Sequence, residues 1–201
     1  MVSTIAALLL CSPASAMALQ PKPTLGNTRA YRLEMTVRAG KIENRLTAQL
    51  TESPLRREQG EIVWQRSVRD LRVQDGDRQV SLPDTADQTV FARPFEGRLS
   101  PGAAGFVRLF DAWWPAWPDA AVTTDSRWSG ADGSVFSLKE RTAEAVLIGI
   151  ESPSNPKVLR RNGWIRLDPA ELRPTAAEIT LDGVALGNKS TATVWLKLSP
   201  R

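Results

Sequence analysis

The chain has 201 residues, 42% hydrophobic and 24% charged, with 26 Lys and Arg against 22 Asp and Glu. That length supports one well-buried domain and is short for two, and the composition excludes a disordered chain. The net charge of +4 is spread rather than massed: Arg56, Arg57, Arg66, Arg69, Arg72 and Arg78 are interleaved with Glu58, Glu61, Asp70, Asp75 and Asp77, which speaks against nucleic acid as a partner.

The first eighteen residues, MVSTIAALLLCSPASAMA, carry no charged side chain. Ile5 to Leu10 form a short apolar core, Pro13 breaks it, and Ala14-Ser15-Ala16 supplies the small residues a signal peptidase accepts. The reading is a signal peptide over 1–18, cleaved after Ala16 or Ala18, then a flexible segment over 19–29 and one β-rich domain over 30–201. The single cysteine, Cys11, falls inside the leader behind Leu9 and Leu10, a poor context for lipidation. The mature chain would then have no thiol and no disulfide. No later segment reaches the roughly 18 apolar residues of a membrane-spanning helix.

Histidine is absent. Ser-His-Asp and Cys-His catalysis is thereby ruled out, and ordinary zinc, copper and haem sites lack their ligands. No GxGxxG or P-loop occurs. Carboxylate chemistry remains, but Asp125, Asp132, Glu140, Glu144 and Asp168 stand beside turn residues, where acids cap and solvate. The expectation is a chain that is not an enzyme, with no catalytic residue, metal or cofactor.

In chain order the segments read as strands. Residues 30–38 alternate, with Tyr31, Leu33, Met35 and Val37 on one face and Arg32, Glu34, Thr36 and Arg38 on the other, a half-buried antiparallel strand. Ala39-Gly40-Lys41 turns the chain, and 42–50 runs back. Residues 61–73 form a longer strand with Trp64; Gln74-Asp75-Gly76-Asp77 is a hairpin signal before 78–82. Residues 89–95 are an edge strand because of Pro94. Further strands are read at 134–139, 143–151, 164–167, 177–181 and 190–198, with Asn162-Gly163 as a two-residue turn after Val158-Leu159.

One helix is predicted over 101–114. Ser100 is its N-cap and Pro101 its first residue. Phe106, Leu109, Phe110, Trp113 and Trp114 share one helical face, and Pro115 stops it. That aromatic stripe packs on the concave face of the sheet as plain core, lines a ligand cavity, or rests on a membrane surface. Trp117, beyond the helix, is expected to be the most exposed of the three tryptophans in DAWWPAWPD. The candidate ligand-binding residues are Phe106, Phe110, Trp113, Trp114 and Trp117. The fold class is mainly β: a single curved antiparallel sheet, half-barrel-like, of roughly 8–11 strands, with one amphipathic helix on its concave face.

The run LFDAWWPAWPDAAVTTDSRW, followed later by GWIRLDPAELRPTAAEITLDG, resembles exported bacterial envelope proteins of unknown function. Pro115, Pro118, Asp125, Trp128, Gly163 and Asp168 are the matching positions. The resemblance implies a half β-barrel like that of periplasmic lipoprotein carriers, a periplasmic or secreted location and a hydrophobic, lipid-like ligand. The leading expectation is non-catalytic binding or carriage of such a molecule. The alternative is a structural or protein-interaction domain of the envelope with no small-molecule ligand. Asn188-Lys189-Ser190 also fits a glycosylation sequon.

Overall fold

A computed structural model describes residues 16–58, 61–84, 88–91, 109, 111–130, 132–152, 159–185 and 190–201. Its eleven strands are β1 (Arg29–Ala39), β2 (Ile42–Glu58), β3 (Glu61–Asp75), β4 (Arg78–Ser81), β5 (Gln88–Phe91), β6 (Arg127–Ser129), β7 (Val135–Arg141), β8 (Val146–Glu151), β9 (Arg160–Leu167), β10 (Pro174–Ala185) and β11 (Thr191–Pro200). They form one antiparallel sheet in the order β4-β3-β2-β1-β11-β10-β9-β8-β7-β6, with β5 also paired to β3. The fold is mainly β, as the alternating sequence requires.

Register shows how the alternation builds a core. Ala48, Leu33, Leu198, Ala177, Ile165, Ile148 and Leu138 stand opposite one another, strand to strand, from β2 through β1, β11, β10, β9 and β8 to β7. All seven are buried. A second row runs Leu46, Met35, Leu196, Ile179, Gly163, Ile150, Phe136 and Trp128. The residues between them, such as Arg32, Trp195 and Lys197, are exposed. One face of the sheet is apolar and the other is wet.

The turns test the local reading. Gly40 (φ 60°) and Gly76 (φ 56°) open the two-residue connections of β1–β2 and β3–β4, where primed hairpin turns need a positive φ. Asn162-Gly163, by contrast, is not a turn. Both residues lie inside β9, paired with Thr180 and Ile179. Gly163 is there for closeness: at φ 146°, a Cβ would stand 2.0 Å from the Glu178 carbonyl oxygen. β2 also runs eight residues past its expected end at Leu50, carrying Pro54 through the sheet beside a register shift at Pro54/Arg56, the kind of bulge at which proline is tolerated.

The helix expected over 101–114 is not an element of the described structure. Residues 101–108 and 110 lie outside the described ones. Leu109 is helical, and 111–114 forms turns through Ala112 N–H to Leu109 O (3.1 Å) and Trp114 N–H to Asp111 O (3.1 Å). Those i→i+3 bonds are tighter than an α-helix makes, and Pro115 prevents continuation. The leader residues 1–15 are likewise outside the described residues. Residues 19–29, expected to be a flexible lead-in, include Leu19, which is fully buried. Just ahead of them Met17 exchanges two 2.8 Å backbone hydrogen bonds with Val122.

Gly163→Ala is expected to destabilise the fold by at least about 3 kcal/mol, through backbone overlap and strain. Urea denaturation checks it: the midpoint falls while the slope holds.

Candidate functional site

The apolar face is covered by irregular chain. Leu109 and residues 111–122 lie on it as a strap, accompanied by residues from Met17 onward. Ala112, Trp113, Trp114 and Pro115 are consecutive and all buried, which a one-sided helical stripe would not produce. Trp113 has no exposed surface, and Trp114 tilts against Trp64 of β3 with ring centroids 5.1 Å apart. Trp117 packs against the core but is partly exposed. Of the five candidate ligand-binding residues, the structure brings Trp113, Trp114 and Trp117 onto this face. Phe106 and Phe110 lie outside the described residues.

Arginines hold the strap. Arg66 (β3), 3% exposed, donates to Glu52 (β2) at 2.7–2.8 Å and reaches Asp111 of the strap at 3.3 Å. Burial works against the Arg66 charge, but Glu52 and Asp111 more than offset it, and the guanidinium is held above its ordinary range. Arg161 (β9) donates to the Ala112 carbonyl at 3.1 Å, lies 4.9 Å over the Phe136 ring, and has Asp132 at 3.7 Å. Its burial lowers its pKa to about 10, with Asp132 opposing the shift. Trp128 of β6 donates from Nε1 to the Ala116 carbonyl at 2.7 Å.

A second cluster closes the sheet's rim. Arg173, with no exposed surface, donates to the Asn27 carbonyl (2.6 Å) and the Glu52 carbonyl (3.0 Å) and lies over Trp64 at 4.9 Å. Arg29 bridges Asp168 (2.9 Å) and Glu171 (3.0 Å). Glu171 accepts from Thr24 N–H and Asn27 Nδ2. Burial alone would raise its pKa; the bonds from Thr24 and Asn27 and the Arg29 charge take it down to about 2. Tyr31, buried beside Glu52, is pushed well above the ordinary phenol range and donates to Pro174 O at 2.9 Å.

Glu52, Arg66, Arg161 and Arg173 were not candidates from sequence. The signal existed: Glu52 is in phase with the buried Ala48 and Leu50, and Arg66 with Trp64 and Val68. A charge at an inward-facing strand position needs a buried partner. Two of the positions carrying the resemblance, Asp125 and Asp168, shape the chain at turns. Asp125 (φ 69°) donates its N–H to Leu138 O at 2.7 Å. Asp168 Oδ1 accepts from the N–H groups of Ala170 and Glu171. Among the described residues no group of His, Cys, Asp and Glu could hold a metal ion, and no helix is long and apolar enough to cross a membrane.

Arg66→Met would leave Glu52 buried without its partner and is expected to cost about 3–5 kcal/mol, while adding Glu52→Met recovers much of that loss. Denaturation of both variants checks it. Glu171 binds its proton less readily when folded, so its contribution is complete above the unfolded value of 4.5 and fades as pH falls toward about 2. Acid titration of stability should therefore flatten across that window in Glu171→Gln.

No family model matches the chain, and no curated protein matches it in sequence.

Proposed function

We propose that the chain is an exported cell-envelope protein whose sheet curls into a half-barrel and binds a hydrophobic, lipid-like molecule on its concave face, without catalysis. The observation that carries this reading is the cover. A continuous apolar face across seven strands is covered, among the described residues, by an irregular strap held by polar contacts. A thin cover over a broad apolar surface is what a site for an acyl chain requires.

Support for the curl comes from adjacent strap residues. Asp111 meets Arg66 of β3 while the next residue, Ala112, meets Arg161 of β9. Those strands are five steps apart in the sheet, about 24 Å if it were flat. Side chains rising from a flat sheet stay parallel and about that far apart, too far to share one dipeptide; from a concave one they converge. The charge-free, apolar start of the chain supports export, and the lack of histidine and of any thiol after Cys11 supports a binding role.

One observation favours a second reading, an envelope protein-interaction domain with no small-molecule ligand. Trp113 is fully buried and Trp114 packs on Trp64, as the tryptophans of a filled core would.

Native mass spectrometry separates the two readings, on protein expressed with its leader and recovered from the periplasm without detergent. The carrier reading expects a co-purified mass on the order of several hundred daltons. It also expects a tryptophan fluorescence shift on delipidation that Trp114→Phe diminishes. A clean apo mass with unmoved fluorescence would overturn it and leave the interaction domain.

A further inference from the structure

We infer that the polar face of the sheet, opposite the apolar one, carries a binding groove for a phosphate-bearing small molecule. This groove is independent of the ligand proposed above. Arg32, Thr47, Gln49, Asp70, Arg72 and Arg201 line a space of about 380 Å³, within the size range of small-molecule sites.

Three strands and the chain's last residue bring its cations together. Arg32 of β1 stands opposite Gln49 of β2, and Thr47 of β2 opposite Arg72 of β3. Arg201 donates to Gln49 Oε1. Gln49 in turn donates from Nε2 to Asp70 Oδ2 at 2.5 Å, so the lining's one side-chain carboxylate is already engaged. Arg32 pairs through Nε with Glu34 at 2.9 Å, both side chains well exposed. Arg72 makes no ion pair among the described residues. Three guanidinium groups facing one space, with a single side-chain carboxylate among them that is itself engaged, suit an anion whose oxygens take paired N–H donors. The Thr47 hydroxyl adds a neutral donor.

The backbone is distorted to make this arrangement. By simple alternation Val68, Asp70 and Arg72 would share a face. The β2–β3 register shifts between Thr47 and Gln49 so that Asp70 and Leu71 together oppose Ala48, and Asp70 adopts φ 50°. Asp84 Oδ1 accepts the Asp70 N–H at 2.9 Å, holding the bend. This bulge buries Leu71 and turns Arg72 outward beside Arg69. Bulges re-aim side chains in this way at working surfaces, and a non-glycine residue at positive φ carries strain that the surroundings must hold.

Phosphate could reach the groove on a free small molecule or on a lipid headgroup, and the test has an arm for each. Inorganic phosphate is titrated into the full chain at constant ionic strength, following arginine Nε–H resonances. Flotation is run with phosphatidylcholine vesicles with and without phosphatidic acid. Saturable shifts at Arg32 and Arg72, weakened roughly tenfold or more by Arg72→Ala, support the groove. Arg72→Lys, which keeps the charge but loses the fork, should fall between. Arg45→Ala, on the same face but outside the groove and paired with Glu43, should leave affinity unchanged. Flotation that requires both phosphatidic acid and Arg72 assigns the headgroup; phosphate shifts without flotation assign a free molecule. Absence of both, or equal loss with Arg45→Ala and Arg72→Ala, overturns the proposal. All these side chains are on the surface, and the thermal melting temperature confirms folding of each variant.

Discussion

A single sheet with one apolar face cannot be left open to water, and among the described residues what covers it is turns and irregular chain. Its two inward-facing rows, one fully and one largely buried, run from β2 to β7 and from β2 to β6, and each Å² returned to water would cost about 25 cal/mol. The cover is irregular chain, and irregular chain brings unpaired backbone groups into an apolar place. Those groups must find donors there. The buried arginines supply them: Arg161 serves the Ala112 carbonyl and Arg173 the Asn27 carbonyl. Charge lies inside this protein because its cover has no hydrogen-bond ladder of its own.

Buried ion pairs are poor net stabilisers, since desolvation consumes most of what attraction returns. We therefore assign the Arg66–Glu52–Asp111 contacts a registry role. An apolar strap could slide along an apolar face with little change in buried area. A guanidinium fixed on β3 by Glu52 accepts Asp111 at one place only, and the Trp64–Trp114 contact then follows.

Strand positions were legible where one rule sufficed. The alternation of 30–38 and 190–198 specified β1 and β11, and the Asp75-Gly76-Asp77 turn specified β3–β4. Reading failed where a residue served a distant partner. Asn162-Gly163 has turn chemistry, yet Gly163 answers to the Glu178 carbonyl on the neighbouring strand, which no local pattern encodes. The spacing of 106, 109, 110, 113 and 114 fits a helix, but four successive residues from Ala112 are buried, which a one-sided helical stripe would not give. Trp113, Trp114 and Trp117 were legible as apolar anchors because size and clustering betray them. The arginines that fix them were not, because an Arg inside a strand reads as a wet-face residue until the register is known.

On the proposed reading, the distribution of charge has a consequence for how the cover could part from the sheet. Arg66 has its shortest contact, 2.7 Å, with Glu52 on the adjacent strand, and its contact with the strap is longer, 3.3 Å. Arg161 keeps Asp132 nearby at 3.7 Å apart from its bond to the strap carbonyl. Each sheet arginine thus has a carboxylate that does not belong to the strap. Parting the strap from the sheet would break the contacts of Asp111 with Arg66, of the Ala112 carbonyl with Arg161 and of the Ala116 carbonyl with Trp128 without stranding an uncompensated buried charge, the outcome that makes such separations prohibitive. What would oppose it is mainly apolar: Trp113 and Trp114 leaving the sheet. A hydrophobic molecule entering that space replaces the same term, which is why an irregular strap, rather than a packed second layer, fits a binding face.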